Sequence, residues 1–251
     1  MSNNLLSAAA ALAKARHVVV ITGAGVSAES GIRTFRDTME GLWKEFDPVR
    51  LATPEAFAAD PETVTRWYDW RRLGCLAAEP NPGHLALARL EHRLTETGRA
   101  FTLLTQNVDR LHHKAGSRNV VELHGSIIQW RCSRTGRTLT PPPEPFTALP
   151  PAPPFAPGAS LRPDVVWFGE ALPRHALDAA EQAVLTCDLF MSVGTSSVVY
   201  PAAGFAELAR LRGATVIEVN PAPTALTSIA DWSLRGKSGE ILPDLLHAAM
   251  A

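Results

Sequence analysis

Short apolar runs rich in β-branched residues recur along the chain and predict strands that are buried on both faces. These runs lie at 18–21, 101–105, 120–125, 164–169, 189–193 and 215–219. Between them, apolar residues recur at the three- and four-residue spacing of amphipathic helices, as in 5–15 and 238–250. Strands that alternate with helices indicate a parallel sheet with right-handed crossovers. We therefore predict an α/β fold, a Rossmann-like parallel sheet with helices on both faces.

Capping residues place the start of several helices. Thr53-Pro54-Glu55 and Asp60-Pro61-Glu62 each combine an N-cap, a first-turn proline and an acid. They predict one helix from Pro54 and a second from Pro61 to about Leu73. Asn81-Pro82-Gly83-His84 caps a further predicted helix at 84–97. Other helices are predicted at 111–114, which a glycine at 116 ends, and at 176–186 and 202–211.

The first predicted strand leads directly into Gly23-Ala24-Gly25, where the chain must turn tightly and expose bare backbone. Ser27–Ser30 then resembles the first turn of a helix, whose free N–H groups favour an anion. Ala28 stands where a third glycine is usual, a position that tolerates alanine. By itself the pattern is equally typical of a plain strand-to-helix turn. Residues 31–36 add a glycine, an aromatic ring and two arginines, and indicate a loop that closes over a bound nucleotide.

Small and polar residues follow four of the predicted strands. These segments are Gly23–Gly25, Gln106-Asn107, Gly194-Thr195-Ser196 and Asn220. The carboxyl ends of parallel strands meet at one edge of a sheet, and ligands bind at that edge in open α/β folds. The convergence therefore predicts a dinucleotide site.

The composition indicates which broad class of protein the chain belongs to. Of the 251 residues 46% are hydrophobic and 20% are charged, and the formal net charge is −1. This balance is typical of a globular protein and gives no indication of a nucleic-acid partner or a membrane surface. The three cysteines show no paired spacing, which is consistent with a reducing compartment. We expect a cytoplasmic monomer.

The segment 141–157 differs from the rest of the chain, because nine of its seventeen residues are proline. Such a segment has few backbone donors and favours extended geometry. A strand at 127–131 and a turn at 132–137 precede it, and together they predict a small inserted lobe. We predict one domain with a Rossmann-like part (about 1–36, 84–125 and 161–251) and a small lobe (about 37–83 and 126–160).

With these pieces placed, the chain is similar to the sirtuin family of NAD-dependent protein deacylases, from about residue 15 to 242. The similarity rests on several motifs in the family's order. They are Gly23–Ile32 with Phe35-Arg36, Thr105–Asp109, Leu123-His124-Gly125, Pro163–Glu170, Gly194–Ser196 and Val219-Asn220. The resemblance implies that the protein uses NAD and acts on acyl-lysine in proteins or peptides.

The resemblance also implies roles for individual residues. Phe35 and Arg36 would belong to the cofactor-binding loop, and Ser238 would contact adenine through its backbone. The other implied cofactor-binding residues are Gly23, Ala24, Gly25, Ser27, Ala28, Ile32, Gln106, Asn107, Asp109, Gly194, Thr195, Ser196 and Asn220. Val166, Trp167 and Phe168 would bind the peptide as an added strand.

The implied reaction needs a base more than a nucleophilic side chain. The acyl oxygen attacks the ribose carbon, nicotinamide leaves, and a ribose hydroxyl must then lose a proton. Histidine suits that step because its pKa lies near working pH. We expect His124 to be the base and Asn107 to be the second catalytic residue. The alternative for His124 is a structural histidine at the end of a strand.

Two departures from the family pattern refine this interpretation. Sirtuins usually carry two Cys-x-x-Cys pairs as a zinc ribbon, whereas this lobe has only Cys132. One thiolate cannot make a tetrahedral zinc site, and no histidine lies between His124 and His175. We therefore predict no structural zinc, a degenerate ribbon-like segment and no other metal, with the lobe held by proline rigidity and packing.

The second departure concerns the acyl group. Tyr68 and Arg71 match the Tyr-x-x-Arg pair of the sirtuin branch that removes acidic acyl groups, and Ala52 matches a small residue that widens its acyl pocket. A guanidinium binds a carboxylate through two hydrogen bonds, and a phenol adds a third. The alternative is an ordinary pair on a helix surface, with Arg72 equally well placed. We favour a desuccinylase and demalonylase that also removes acetyl groups.

Two other functions would keep the cofactor motifs. One is mono-ADP-ribosyl transfer or NAD hydrolysis, which predicts nicotinamide release without acyl-lysine. The other is a non-catalytic module that binds NAD or ADP-ribose. His124, Asn107 and Asp109 together argue against it, because a pure binding module needs no base beside the ribose.

Overall fold

The computed structural model of the protein describes residues 2–32 and 47–250. The strands in chain order are β1 (His17–Thr22), β2 (Ala100–Thr105), β3 (Val120–Glu122), β4 (Gly125–Cys132), β5 (Thr138–Leu139), β6 (Leu161–Val165), β7 (Leu189–Val193), β8 (Thr215–Val219) and β9 (Trp232–Leu234). Six of them form a parallel sheet in the order β3-β2-β1-β7-β8-β9. The order reverses between β1 and β7, which is the switch point where Rossmann-like sheets bind ligands.

The helices in chain order are α1 (Asn3–Lys14), α2 (Ala24–Ala28), α3 (Pro48–Leu51), α4 (Pro54–Ala59), α5 (Pro61–Ala77), α6 (Pro82–Glu96), α7 (Leu111–Lys114), α8 (Arg174–Thr186), α9 (Phe205–Leu211) and α10 (Ser238–Met250). The predicted caps are confirmed. Thr53 accepts a hydrogen bond from the backbone of α4, and Asp60 does the same for α5. Asn81 caps α6 together with His84.

Successive residues of the buried strands supply two different hydrophobic cores. On β1, Val18 and Val20 pack with α1, α6 and α10, whereas Val19 and Ile21 pack with α8 and α9. All four side chains are at most 3% exposed. Because strand side chains alternate between faces, each strand fills both cores. The predicted α/β fold with helices on both faces is confirmed.

The small lobe has its own sheet and its own core. Its three strands are antiparallel in the order β5-β4-β6. They pack against α5 and the chain before it through aromatic side chains that include Trp67, Tyr68, Trp130 and Trp167. The predicted strand at 127–131 and hairpin turn at 132–137 are confirmed by β4 and β5.

Four expectations are wrong. The strand expected at 120–125 ends at Glu122, residues 123–124 form a turn, and Gly125 begins β4. The helix after the first turn begins at Ala24 and not near Ser27, because Gly23 in extended geometry already occupies the N-cap position. The strand expected at 164–169 ends at Val165, since Gly169 has a φ of +85° and the preceding backbone pairs elsewhere. That strand, β6, belongs to the small sheet, so 161–165 moves from the Rossmann-like part to the small lobe. The rest of the division stays a prediction.

Candidate active site

The turn after β1 packs directly on the end of β7. The Gly25 N–H donates to the carbonyl of Gly194 at 2.9 Å, and the Gly23 N–H donates to that of Val193 at 3.1 Å. A Cβ on Gly25 would lie 2.7 Å from the Gly194 oxygen, and one on Gly23 would lie 2.7 Å from Thr195 Cβ. Both glycines are therefore required by the close approach of two backbones. Gly25 itself is exposed at the switch point.

Three polar side chains join this turn to the end of β2. The Ser27 hydroxyl donates to Asp109 at 2.6 Å, and the Asn107 amide donates to Ser27 at 2.9 Å and to the Gly23 carbonyl at 3.0 Å. All three residues are buried. Burial raises the pKa of Asp109, while its bonds from Ser27 and the Leu111 backbone lower it. The structure therefore brings together Ser27, Asn107 and Asp109, as the sequence predicted.

Gln106 connects the end of β2 to Thr195 and to His124. Its side-chain amide donates to Thr195 Oγ1 at 3.1 Å, which joins the ends of β2 and β7. Its backbone carbonyl lies 3.0 Å from Nδ1 of His124. A carbonyl only accepts, so Nδ1 carries the proton and Nε2 of neutral His124 keeps its lone pair. Burial lowers the pKa of His124, and the bond to Gln106 partly offsets this. His124 has the chemistry of a base.

The other predicted cofactor residues that the structure describes lie in or next to the segments that follow β1, β7, β8 and β9. The Asn220 side chain donates to the carbonyl of Ala222 at 2.7 Å, which shapes the turn after β8. Ala28 is exposed, and the Ile32 N–H donates to the Ser27 carbonyl at 3.2 Å. Ser238 is 4% exposed, and its hydroxyl donates to Glu29. Ser196 follows Thr195 at the end of β7, and Phe35 and Arg36 lie outside the described residues.

The predicted peptide-binding segment lies between His124 and the small lobe. The Val166 N–H donates to the His124 carbonyl and the Phe168 N–H donates to the Ala52 carbonyl, both at 2.9 Å. The Trp167 N–H donates to Glu170 at 2.9 Å. Because these donors are engaged, an added strand would have to use carbonyl oxygens or displace these bonds. Phe168 remains 46% exposed.

The three residues predicted to select the acyl group lie close together. Tyr68 and Ala52 belong to one core cluster with Trp167, and the Arg71 guanidinium lies 5.5 Å from the centre of the Tyr68 ring. Burial raises the pKa of Tyr68 to about 12, so its phenol stays a hydrogen-bond donor. Burial raises the pKa of both Tyr68 and Asp109, and the positive charge of Arg71 offsets a part of each rise.

Arg72, the alternative partner of Tyr68, lies elsewhere. It is 1% exposed and forms an ion pair with Asp69 at 2.7 Å. Sequence reasoning missed this pair, although an acid and an arginine three residues apart on a helix are a recognisable signal.

Sequence reasoning also missed a buried polar group beneath the first turn. Thr22 Oγ1 lies 2.9 Å from Thr105 Oγ1 and 2.9 Å from His112 Nε2, and the His112 ring contacts that of His84 with centres 4.7 Å apart and planes tilted by 53°. Burial lowers the pKa of His84 to about 4. Isolated threonines and histidines in the sequence gave no signal for this group, because four different elements bring them together.

The residues at this edge suit a dinucleotide. Ala24 and Gly25 of the turn are exposed, and the turn's backbone is fixed against β7. Amide and hydroxyl groups of Gln106, Thr195 and Asn220 border it, as ribose recognition requires. Gly23–Gly25, Ser27, Gln106, Asn107, Asp109, Gly194–Ser196 and Asn220 are the residues that could hold NAD.

The residues of the small lobe do not suit zinc. The chain has three cysteines, and Cys75 and Cys187 lie on other elements than Cys132. Within the described residues, no three histidine, cysteine or acidic side chains are placed to hold a metal ion. Hydrogen bonds between loops occupy this region, such as Ser133 N–H to the Ser160 carbonyl at 2.9 Å and Leu161 N–H to the Pro151 carbonyl at 2.7 Å. The absence of zinc stays a prediction.

Comparison with known proteins agrees with this geometry. The Sir2 family model matches residues 23–201. An NAD-dependent protein deacylase of Methylococcus capsulatus is 51% identical over 245 residues, which cover 95% of this chain and 94% of the relative. The crystal structure of a Sir2 homologue in complex with NAD superposes with a TM-score of 0.89 at 46% identity, covering 100% of this chain and 94% of the other.

A second solved structure is a mutated Sir2 homologue in complex with 2′-O-acetyl ADP-ribose. It has a TM-score of 0.88 and 45% identity and covers 100% of this chain and 97% of the other. Within residues 2–32 and 47–250, no helix combines the length and the apolar character that crossing a bilayer requires. On the family match, the identities and the shared fold, the chain belongs to the Sir2 family.

Proposed function

We propose that the protein is an NAD-dependent protein-lysine deacylase that prefers acyl groups ending in a carboxylate, such as succinyl and malonyl. The observation that carries the preference is the position of the Arg71 guanidinium 5.5 Å from the ring centre of Tyr68, which packs in one cluster with Ala52 and Trp167. The relatives named as NAD-dependent protein deacylases and the NAD complex of a Sir2 homologue support the general activity.

When bound, NAD supplies a ribose carbon from which nicotinamide departs as the acyl oxygen attacks. The chain supplies the base and the geometry. Nδ1 of His124 donates to the Gln106 carbonyl, so the ring is fixed and Nε2 is free of that bond to take a proton from a ribose hydroxyl. The Asn107 side chain is fixed by its hydrogen bonds to Gly23 and Ser27, and in our proposal it lines the nicotinamide pocket.

Acyl selection follows from the charge and hydrogen-bond donors of two side chains. Arg71 is a permanent cation that offers a planar fork, and Tyr68 stays protonated because its pKa is raised to about 12. Both would donate to the terminal carboxylate of a succinyl group. Ala52, in the same cluster as Tyr68 and Trp167, has no side chain beyond Cβ, and we infer that this small residue favours acyl chains longer than acetyl.

The test is nicotinamide release by the purified protein with acetyl-, succinyl- and unmodified lysine peptides. We expect release with both acyl peptides and faster release with succinyl-lysine. Equal release without an acyl group would instead indicate NAD hydrolysis or ADP-ribosyl transfer. No release with any peptide, together with NAD binding, would indicate a binding module.

Arg71→Met tests the acidic pocket directly. Hydrogen bonds to charged groups contribute about 1.5–3 kcal/mol, so kcat/KM with succinyl-lysine should fall by roughly 10- to 150-fold. With acetyl-lysine it should fall less than about threefold, because that group has no carboxylate. Arg66→Met on the exposed face of the same helix is the control and should change neither value. Equal losses with both peptides would refute the proposed preference.

A further inference from the structure

Helix α5 presents two different faces, and only one of them borders the proposed acyl pocket. Tyr68 and Arg71 lie on that face. Asp69 and Arg72 lie on the other, against the proline-rich segment. Residues 142–146 of that segment are called the strap.

The Asp69–Arg72 pair binds the strap at three points. Arg72 donates to the carbonyl of Pro142 at 2.8 Å and to that of Glu144 at 2.7 Å. Asp69 accepts from the backbone N–H of Phe146 at 2.9 Å through the oxygen that does not bind Arg72. The two side chains also bind each other through Arg72 Nε and Nη2, at 2.9 and 2.7 Å. One ion pair thus satisfies two carbonyls and one N–H of a segment without secondary structure.

Apolar contacts enclose this pair. The Arg72 guanidinium lies 4.8 Å from the centre of the Phe146 ring, and that ring meets Trp130 of β4 edge to face at 4.7 Å. Arg72 is 1% exposed and Asp69 is 6% exposed. Replacing both residues of a buried ion pair by apolar ones changes stability little, whereas removing one of them is costly because the other charge is left unpaired. We therefore infer that this pair fixes one arrangement of α5, the strap and β4.

We propose that the Asp69–Arg72 pair fastens the small lobe without a metal and positions α5, so that Tyr68 and Arg71 face the acyl pocket. Within the described residues, the lobe in which the family usually holds zinc has no group of side chains to bind it, and this pair instead connects α5 to the strap. Asp69 and Arg72 are thus positioning residues. Their effect on acyl selection rests on the proposed function, whereas their effect on the strap does not.

The first variant is Arg72→Lys, which keeps the charge but cannot reach two carbonyls and a carboxylate together. The second is the double variant Asp69→Leu/Arg72→Met, which removes both charges and therefore avoids an unpaired buried ion. Glu62→Gln/Arg66→Met removes an exposed ion pair of the same helix and is the matched control. If Arg72→Lys fails to fold, the double variant still provides the test.

Three measurements on the full chain decide the proposal. We expect the wild-type protein to contain less than about 0.1 zinc per chain and to keep its melting temperature in a strong chelator. In both variants, limited proteolysis within residues 140–160 should accelerate at least about tenfold. The KM for the succinyl-lysine peptide should rise at least about fivefold, with the KM for NAD unchanged and a smaller rise for acetyl-lysine.

Each contrary result has a distinct meaning. Stoichiometric zinc with loss of stability in chelator would overturn the metal-free fastening. Unchanged proteolysis and unchanged KM values in the double variant would overturn the positioning role. If the wild type shows no preference for succinyl-lysine, the proposed function fails, and the proteolysis and zinc measurements still decide whether the pair fastens the lobe.

Discussion

Acid should destabilise the protein through two histidines that are buried beneath the first turn. His84 is 0% exposed and His112 is 2% exposed, and the centres of their tilted rings are 4.7 Å apart. Burial lowers the pKa of His84 to about 4. Burial, followed by the neighbouring charges of His84 and His113, lowers the pKa of His112 well below its usual value. Both rings are therefore neutral in the folded protein at neutral pH.

The size of the effect follows from proton linkage. Between pH 6.5 and about 4 the unfolded chain binds a proton at His84 and the folded protein does not, so the free energy of unfolding falls as the pH falls. The slope is about 1.4 kcal/mol per pH unit for each such histidine. Over the gap from 6.5 to about 4, His84 alone removes about 3 kcal/mol, and His112 acts in the same direction. Above pH 6.5 the contribution is fully present.

Urea unfolding at pH 4.5–8 measures this slope. His113 and His124 titrate in the same direction, so the informative quantity is the difference between wild type and His84→Gln. Between pH 5 and 6.5 we expect the slope of the variant to be smaller by about 1 kcal/mol per pH unit. His92→Gln, at an exposed histidine, should keep the wild-type slope. A His84→Gln protein with the wild-type slope would refute the reasoning.

Three further predictions concern the cofactor edge. Gly25→Ala should weaken NAD binding in calorimetry at least about tenfold, because its Cβ would lie 2.7 Å from the Gly194 oxygen. The control is Gly74→Ala in α5, which has open space around it; it should leave binding unchanged and can stabilise the helix by up to about 1 kcal/mol. His124→Ala should abolish deacylation while NAD binding is retained, and loss of both would argue against its role as base. Since burial lowers the pKa of His124, the acid limb of wild-type kcat/KM should lie below pH 6.5, and a limb above that value would contradict the assignment.

The parallel sheet was predictable because its signals are local. Runs such as Val18–Ile21 are buried on both faces wherever they occur, and their order along the chain restricts the topology. The four loop segments at the carboxyl ends of the strands could be placed for the same reason. Edge strand β9 was missed because three residues with a half-buried pattern give no clear periodicity.

The small lobe was harder to predict because its organisation depends on contacts between distant residues. The run Val165–Phe168 resembles a buried parallel strand, yet its backbone pairs with His124 and Ala52 and its strand lies in an antiparallel sheet. Likewise, Tyr68 and Arg71 could be selected from the family pattern, but only the structure separates Arg71 from Arg72. Spacing along a helix gives the face of a residue and not what packs against that face.

His124, the proposed base, is held by both parts of the protein. Its ring is held from the parallel sheet by the Gln106 carbonyl, whereas its own carbonyl accepts from Val166 at the end of β6 in the small lobe. The next residue, Gly125, has a φ of +73°, and a Cβ there would lie 2.1 Å from the Asp164 carbonyl oxygen. Any larger residue would push β4 away from β6 at the point where the base is held. The small lobe therefore contributes to the position of the proposed base as well as to the proposed acyl pocket.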